Sequence, residues 1–76
     1  MSELTQHECR ERVDLLTERE REVLRMVAYG CASKQIADEL SISINTVRVY
    51  RERMYSKLRV NGPAQAAVMA LKAEVV

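Results

Sequence analysis

Val47, Met54 and Leu58 stand at i, i+7 and i+11 in a segment that is otherwise mostly polar. This spacing constrains the fold more than any other feature of the chain. At about 100° per residue the three share one side of a helix. The opposite side then carries Asn45, Arg48, Val49, Glu52 and Ser56, with Tyr50, Arg51, Arg53 and Lys57 on the flanks. Such a helix, expected at about 44–58, is held to a core by one narrow apolar stripe, and its outer face stands free.

The punctuation around this segment predicts three more helices. Thr17-Glu18-Arg19-Glu20 fits a capping box, in which Thr17 and Glu20 satisfy each other's backbone amides. Val23, Leu24 and Val27 follow at helical spacing, and Gly30 is a natural left-handed stop, which gives a helix at about 18–29. Ser33 is the expected N-cap of a short helix at about 34–40, with Ile36, Ala37 and Leu40 inward. Ser41-Ile42-Ser43 makes a tight connection, and Ser43 caps the long helix. Pro63 suits the first position of a last helix, at about 63–73, whose apolar face is Ala64, Ala67, Val68 and Leu71. Residues 1–16 lack a clean apolar period and read as a tail or linker, with Val13, Leu15 and Leu16 docking on the helices that come after it.

Composition agrees with packed helices. The 76 residues hold only two glycines and one proline, no Trp and no Phe, so the core is built from Leu, Ile, Val, Met and Ala. A chain this short forms one small domain with little room for a deep substrate cavity. The only histidine, His7, lies in the expected tail, and no glycine-rich phosphate loop is present. An enzyme is therefore not expected. Cys9 and Cys31 form no CxxC pair and read as free thiols in a reducing cytoplasm, so no metal or other cofactor is expected. No apolar run approaches the ~20 residues of a membrane span.

The net charge of +1 is unevenly spread. Residues 1–29 carry seven acids against five basic residues, a local −2, whereas residues 30–60 carry six basic residues against three acids, a local +3. Between 44 and 59 the balance is five to one. The expected free helix is thus also an electropositive face.

A short helix, a three-residue connection and a longer polar-faced helix make a helix-turn-helix. The major groove of DNA is about 12 Å wide and admits one helix with its side chains. Arg48 sits one turn in and reaches guanine O6 and N7 with two hydrogen bonds; Val49 suits a thymine methyl group, and Glu52 a cytosine amino group. Asn45 shares that face as a further base-contact candidate. Ser33, Lys34, Thr46, Tyr50, Arg51 and Arg53 are the phosphate candidates.

The run LTEREREVLRMVAYGCASKQIADELSISINTVRVYRERMYSKLRV resembles the LuxR-type (GerE or FixJ/NarL-type) helix-turn-helix of bacterial regulators. The family reads roughly L-T-x-R-E-x-E-V-L, then G-x-x-N-K-E-I-A-x-x-L-x-I-S, then T-V-K-x-H-x-x-x-I-x-x-K-L-x-V, and the likeness extends over about residues 16–72. It implies an all-α, four-helix domain over about residues 17–74. Its third helix reads double-stranded DNA, and its fourth pairs two copies on an inverted repeat through Ala64, Ala67, Val68 and Leu71. The family's base-contacting positions fall on Arg48, Val49 and Glu52, and its phosphate contacts around Ser33, Lys34, Thr46, Tyr50 and Arg51. The chain departs from the pattern at Glu52, where a basic residue is common, at Tyr50 for His, at Arg59 for Gly, and at Gly62-Pro63 for a polar cap.

The resulting expectation is a cytoplasmic transcriptional regulator acting at the bacterial nucleoid, either a whole small regulator or the output domain of a response regulator. Its expected partners are duplex DNA, a second copy and RNA polymerase, with no membrane and no small-molecule ligand for this domain. Two rivals share the pattern. Region 4 of sigma factors has a similar run, but the alanine-rich segment 63–73 favours the LuxR type. A protein-binding module or anti-activator could keep the same fold, and the near-neutral net charge suits it.

Overall fold

Each helix of the computed structural model, which describes residues 4–76, begins where a side chain or a proline satisfies the first turn. Helix α1 spans Gln6–Val13, α2 Glu18–Ala28, α3 Ser33–Leu40, α4 Ile44–Leu58 and α5 Pro63–Lys72. Thr5 with Glu8, and Thr17 with Glu20, form reciprocal capping boxes at α1 and α2. The Ser43 hydroxyl accepts from the Thr46 amide at 3.1 Å and starts α4. Pro63 opens α5, and the Gln65 side chain accepts from the Asn61 amide just before it, at 2.8 Å.

The helix ends repeat one device. After α2, α3, α4 and α5 a residue turns left-handed: Gly30 (φ 88), Ser41 (φ 56), Arg59 (φ 58) and Glu74 (φ 59). The next amide then bonds back five residues: Cys31 to Met26, Ile42 to Ala37, Val60 to Tyr55 and Val75 to Ala70, at 3.0–3.1 Å. This is the Schellman closure. In all four cases the residue after the turn is apolar and packs on the core.

That core is one cluster. Val23, Leu24, Ile36, Val47, Met54, Leu58, Ala66 and Ala70 are fully buried. Helix α2 lies at the centre against α4 and α5; α3 leans on α4, and α1 on α4 and α5. Each large aliphatic side chain buried here contributes about 1.5–3 kcal/mol, which is how so short a chain holds one conformation.

Several expectations need correction. The segment read as a tail forms α1, so the described residues hold five helices where four were expected; residues 1–3 lie outside the described residues. Its helix is short, and only Cys9 and Val13 are buried, too few points to show a period. Leu16 docks as expected, but Leu15 is 62% exposed. Ser33 is not the N-cap of α3 but its first residue. Ala32 takes the cap position, and the Gln35 side chain accepts from its amide at 2.8 Å. Helix α5 packs through Ala66, Met69 and Ala70, followed by its buried C-cap Ala73, whereas Val68 (52% exposed) and Leu71 (63%) face outward. Both sides of α5 are apolar, so periodicity could not say which side the core would take.

Candidate nucleic-acid interface

The turn between α3 and α4 is closed from both sides. Ser41 adopts the left-handed conformation, Ile42 packs on the core, and Ser43 caps α4. Val47, Met54 and Leu58 are each 0% exposed. They fix α4 by the single stripe that the spacing predicted. Arg12 of α1 adds a clamp at the far end, where its guanidinium donates to the Leu58 carbonyl at 3.1 Å. That carbonyl belongs to the last turn of α4, where helical partners run out and a cation is favoured.

Asn45, Arg48, Glu52, Arg53 and Ser56 are exposed, and Val49 is 43% exposed. Thr46 and Tyr50 are half-buried, Lys34 is exposed and Ser33 half-buried on the first turn of α3. The Thr46 hydroxyl lies 2.8 Å from that of Ser43. The structure therefore brings all the expected base-contact residues onto one open face, with Ser33 and Lys34 at its α3 side.

The basic residues of α4 divide into two groups. Lys57 is drawn inward: its ammonium lies 2.7 Å from Glu20, whose side chain is 2% exposed. Arg51 is held by neutral oxygens. Its Nη1 donates to Ser33 Oγ at 2.8 Å, while Nε and Nη2 donate to the Tyr55 hydroxyl at 3.1 and 2.8 Å. Arg51, one of the phosphate candidates, is thus held by two hydroxyls of its own chain. Lys34, Arg48 and Arg53 form no ion pair with the described residues. The uncommitted positive charge thus sits at Arg48 and Arg53 on α4, at Lys34 on the first turn of α3 and at Arg59 just after α4.

Burial by itself would raise the Glu20 carboxyl. The hydrogen bonds from Lys57 and the Thr17 amide outweigh it and hold the group below its ordinary value. Glu20 therefore caps α2 and anchors α4 with one carboxylate. Sequence reasoning identified the cap and placed Lys57 on a flank of α4 without pairing it to Glu20, since the two residues are 37 positions apart. Tyr55 was also missed. Its i, i+4 spacing from Arg51 was the available signal, but nothing local joined the pair to Ser33, 18 positions away.

On α5, Ala64, Val68 and Leu71 are exposed and Ala67 is half-buried. They make an apolar strip on the side of the helix turned away from the core. Among the described residues no three His, Cys, Asp or Glu side chains gather to hold a metal, and no helix is long and apolar enough to cross a membrane.

Comparison with known proteins supplies the lineage. The chain is 43% identical over 61 residues to the transcriptional regulatory protein LiaR of Bacillus subtilis, covering 80% of this chain and 29% of LiaR. It is 39% identical over 56 residues to the nitrate/nitrite response regulator protein NarL of Escherichia coli, covering 74% of this chain and 26% of NarL. The response regulator UvrY of the same species is 35% identical over 57 residues, covering 75% of this chain and 26% of UvrY. The chain thus spans little more than a quarter of the length of these relatives. Residues 14–70 match the family described as bacterial regulatory proteins, luxR family. This match takes in α2, α3, α4 and most of α5, and the chain belongs to the luxR family of bacterial regulatory proteins.

Proposed function

We propose that this chain binds double-stranded DNA sequence-specifically and regulates transcription, with α4 lying in the major groove. One observation carries the reading. Helix α4 is held by a stripe of three fully buried residues, while Asn45, Arg48, Val49 and Glu52 stand exposed together on its other side. A helix placed in this way presents base-reading groups without unfolding anything.

Arg48 pairs with guanine O6 and N7, Asn45 suits adenine, Glu52 accepts from a cytosine amino group and Val49 meets a thymine methyl. Lys34, Arg53, Thr46 and Tyr50 fasten the flanking phosphates. The net charge of +1 is no obstacle, because the uncommitted basic residues are concentrated at this face. The exposed strip of Ala64, Ala67, Val68 and Leu71 supports pairing of two copies on an inverted repeat. RNA polymerase is a further partner consistent with a regulator, and the cytoplasm is its expected place of action.

Selection from a randomised duplex pool at two salt concentrations tests the reading. Enrichment of an inverted repeat, weakening as salt rises, is the expected result. Retention without enrichment would remove the sequence-specific part, and no retention at either salt would favour a protein-binding module instead.

A further inference from the structure

Arg51 carries a full charge, is half-buried, and spends its three hydrogen bonds on neutral hydroxyls. Among the described residues no Asp or Glu forms an ion pair with Arg51. A guanidinium only donates, so Ser33 Oγ and the Tyr55 hydroxyl both act as acceptors toward it. Each hydroxyl has a single hydrogen, and neither hydrogen is directed at Arg51. The cluster therefore combines one uncompensated positive charge with two hydroxyl hydrogens turned away from it. The guanidinium carbon also lies 5.7 Å from the centre of the Tyr55 ring, so the arginine is held on two sides. At about 100° per residue, Tyr55 falls about 20° from Arg48 around α4, at the core-side edge of the face already described and nearly two turns further along, with its ring packed partly on the core.

We infer that Ser33 and Tyr55 form one phosphate-binding site on the DNA backbone, with Arg51 as the positioning residue that aims both hydroxyls. The inference rests on the DNA-binding reading and adds Tyr55 to it, while changing the part played by Arg51. A phosphodiester oxygen accepts from the two hydroxyls, and the guanidinium behind them supplies the charge that makes them stronger donors. The site spans both helices of the helix-turn-helix, because Ser33 belongs to α3 and Tyr55 to α4. Binding there sets the depth and tilt of α4 in the groove and carries no sequence preference of its own.

Titrations on the selected operator and on random duplex, over a salt series, test this with thermal melts to confirm folding. Tyr55→Phe and Ser33→Ala are each expected to weaken both duplexes by a similar factor of about three to ten, the loss of one hydrogen bond. The slope of log K against log salt is expected to stay unchanged, since no charge is removed. Ser33→Thr keeps the hydroxyl and is expected to lose less affinity than Ser33→Ala. Arg51→Lys keeps the charge but cannot form the fork. It is expected to weaken wild type several-fold and to change the Ser33→Ala/Tyr55→Phe double variant by less than twofold. An equal loss in both backgrounds would make Arg51 a direct phosphate contact and overturn its positioning role. Wild-type affinity for Tyr55→Phe would overturn the site while leaving the DNA reading intact. Failure of the wild-type chain to bind any duplex would overturn both.

Discussion

Glu20 has two partners at once. Its carboxylate accepts from the Thr17 amide at 2.8 Å and from Lys57 at 2.7 Å while 2% exposed. Its depressed pKa makes this a pH-dependent contribution. The stability it gives is present above the unfolded value, near 4.5, and is lost as pH falls through the lower folded value. Glu8 is lowered in the same direction by the Thr5 amide and hydroxyl, so the acid response is shared. Chemical denaturation of Glu20→Gln is expected to show about 1–2 kcal/mol less stability at neutral pH and a flatter decline below pH 5. An unaltered decline would assign the acid response elsewhere. Arg48, with no competing partner among the described residues, makes the opposite kind of test. Arg48→Ala is expected to lose about 1–3 kcal/mol on the preferred site and to relax the preference at one base pair, measured by titration on single-base operator variants. An equal loss on random DNA would reassign Arg48 to phosphate.

The ends of the helices matter as much as their faces. Arg59 sits at φ 58 and ψ 47 after α4, where a side chain costs about 1–2 kcal/mol relative to glycine. Arg59→Gly is therefore expected to stabilise the domain by up to about 1 kcal/mol, or raise Tm by roughly 4–8 °C. Thermal unfolding checks this, and a lowered Tm would mean that the Arg59 side chain contributes more than its backbone loses. The left-handed turn also sends Val60 back onto the core, which sets the approach of α5. Helix α1 works on the same end of α4 from the other side, through the 3.1 Å bond from Arg12 to the Leu58 carbonyl. It is tied to the last turn of the chain as well, where Gln6 and Arg10 reach Glu74 at 2.6 and 2.9 Å. The family match begins at residue 14, so α1 lies just outside the matched part, which it braces.

At the scale of the whole molecule, α5 separates two kinds of apolar residue. Met69→Ala removes a side chain that is 4% exposed and is expected to cost about 2–3 kcal/mol in denaturant unfolding. Val68→Glu and Leu71→Glu alter exposed positions and are expected to change stability by less than about 0.5 kcal/mol. They should nonetheless abolish the preference for an inverted repeat over a half-site, as read by gel shift. Retention of that preference in both variants would move the pairing surface off α5. The same contrast marks what the sequence could tell. Capping boxes, the Gly30 stop and the stripe of Val47, Met54 and Leu58 are local, so α2 and α4 were legible to within a residue or two. With them came the open face of Asn45, Arg48, Val49 and Glu52, since helical geometry alone puts those residues opposite the stripe. Only the tertiary structure decided which apolar side of α5 is core, that the weakly patterned segment 6–13 is a helix, and that Glu20 takes Lys57 while Ser33 and Tyr55 take Arg51. Those pairings join residues remote in sequence, and a side chain's freedom to reach DNA depends on which neighbour reaches it first.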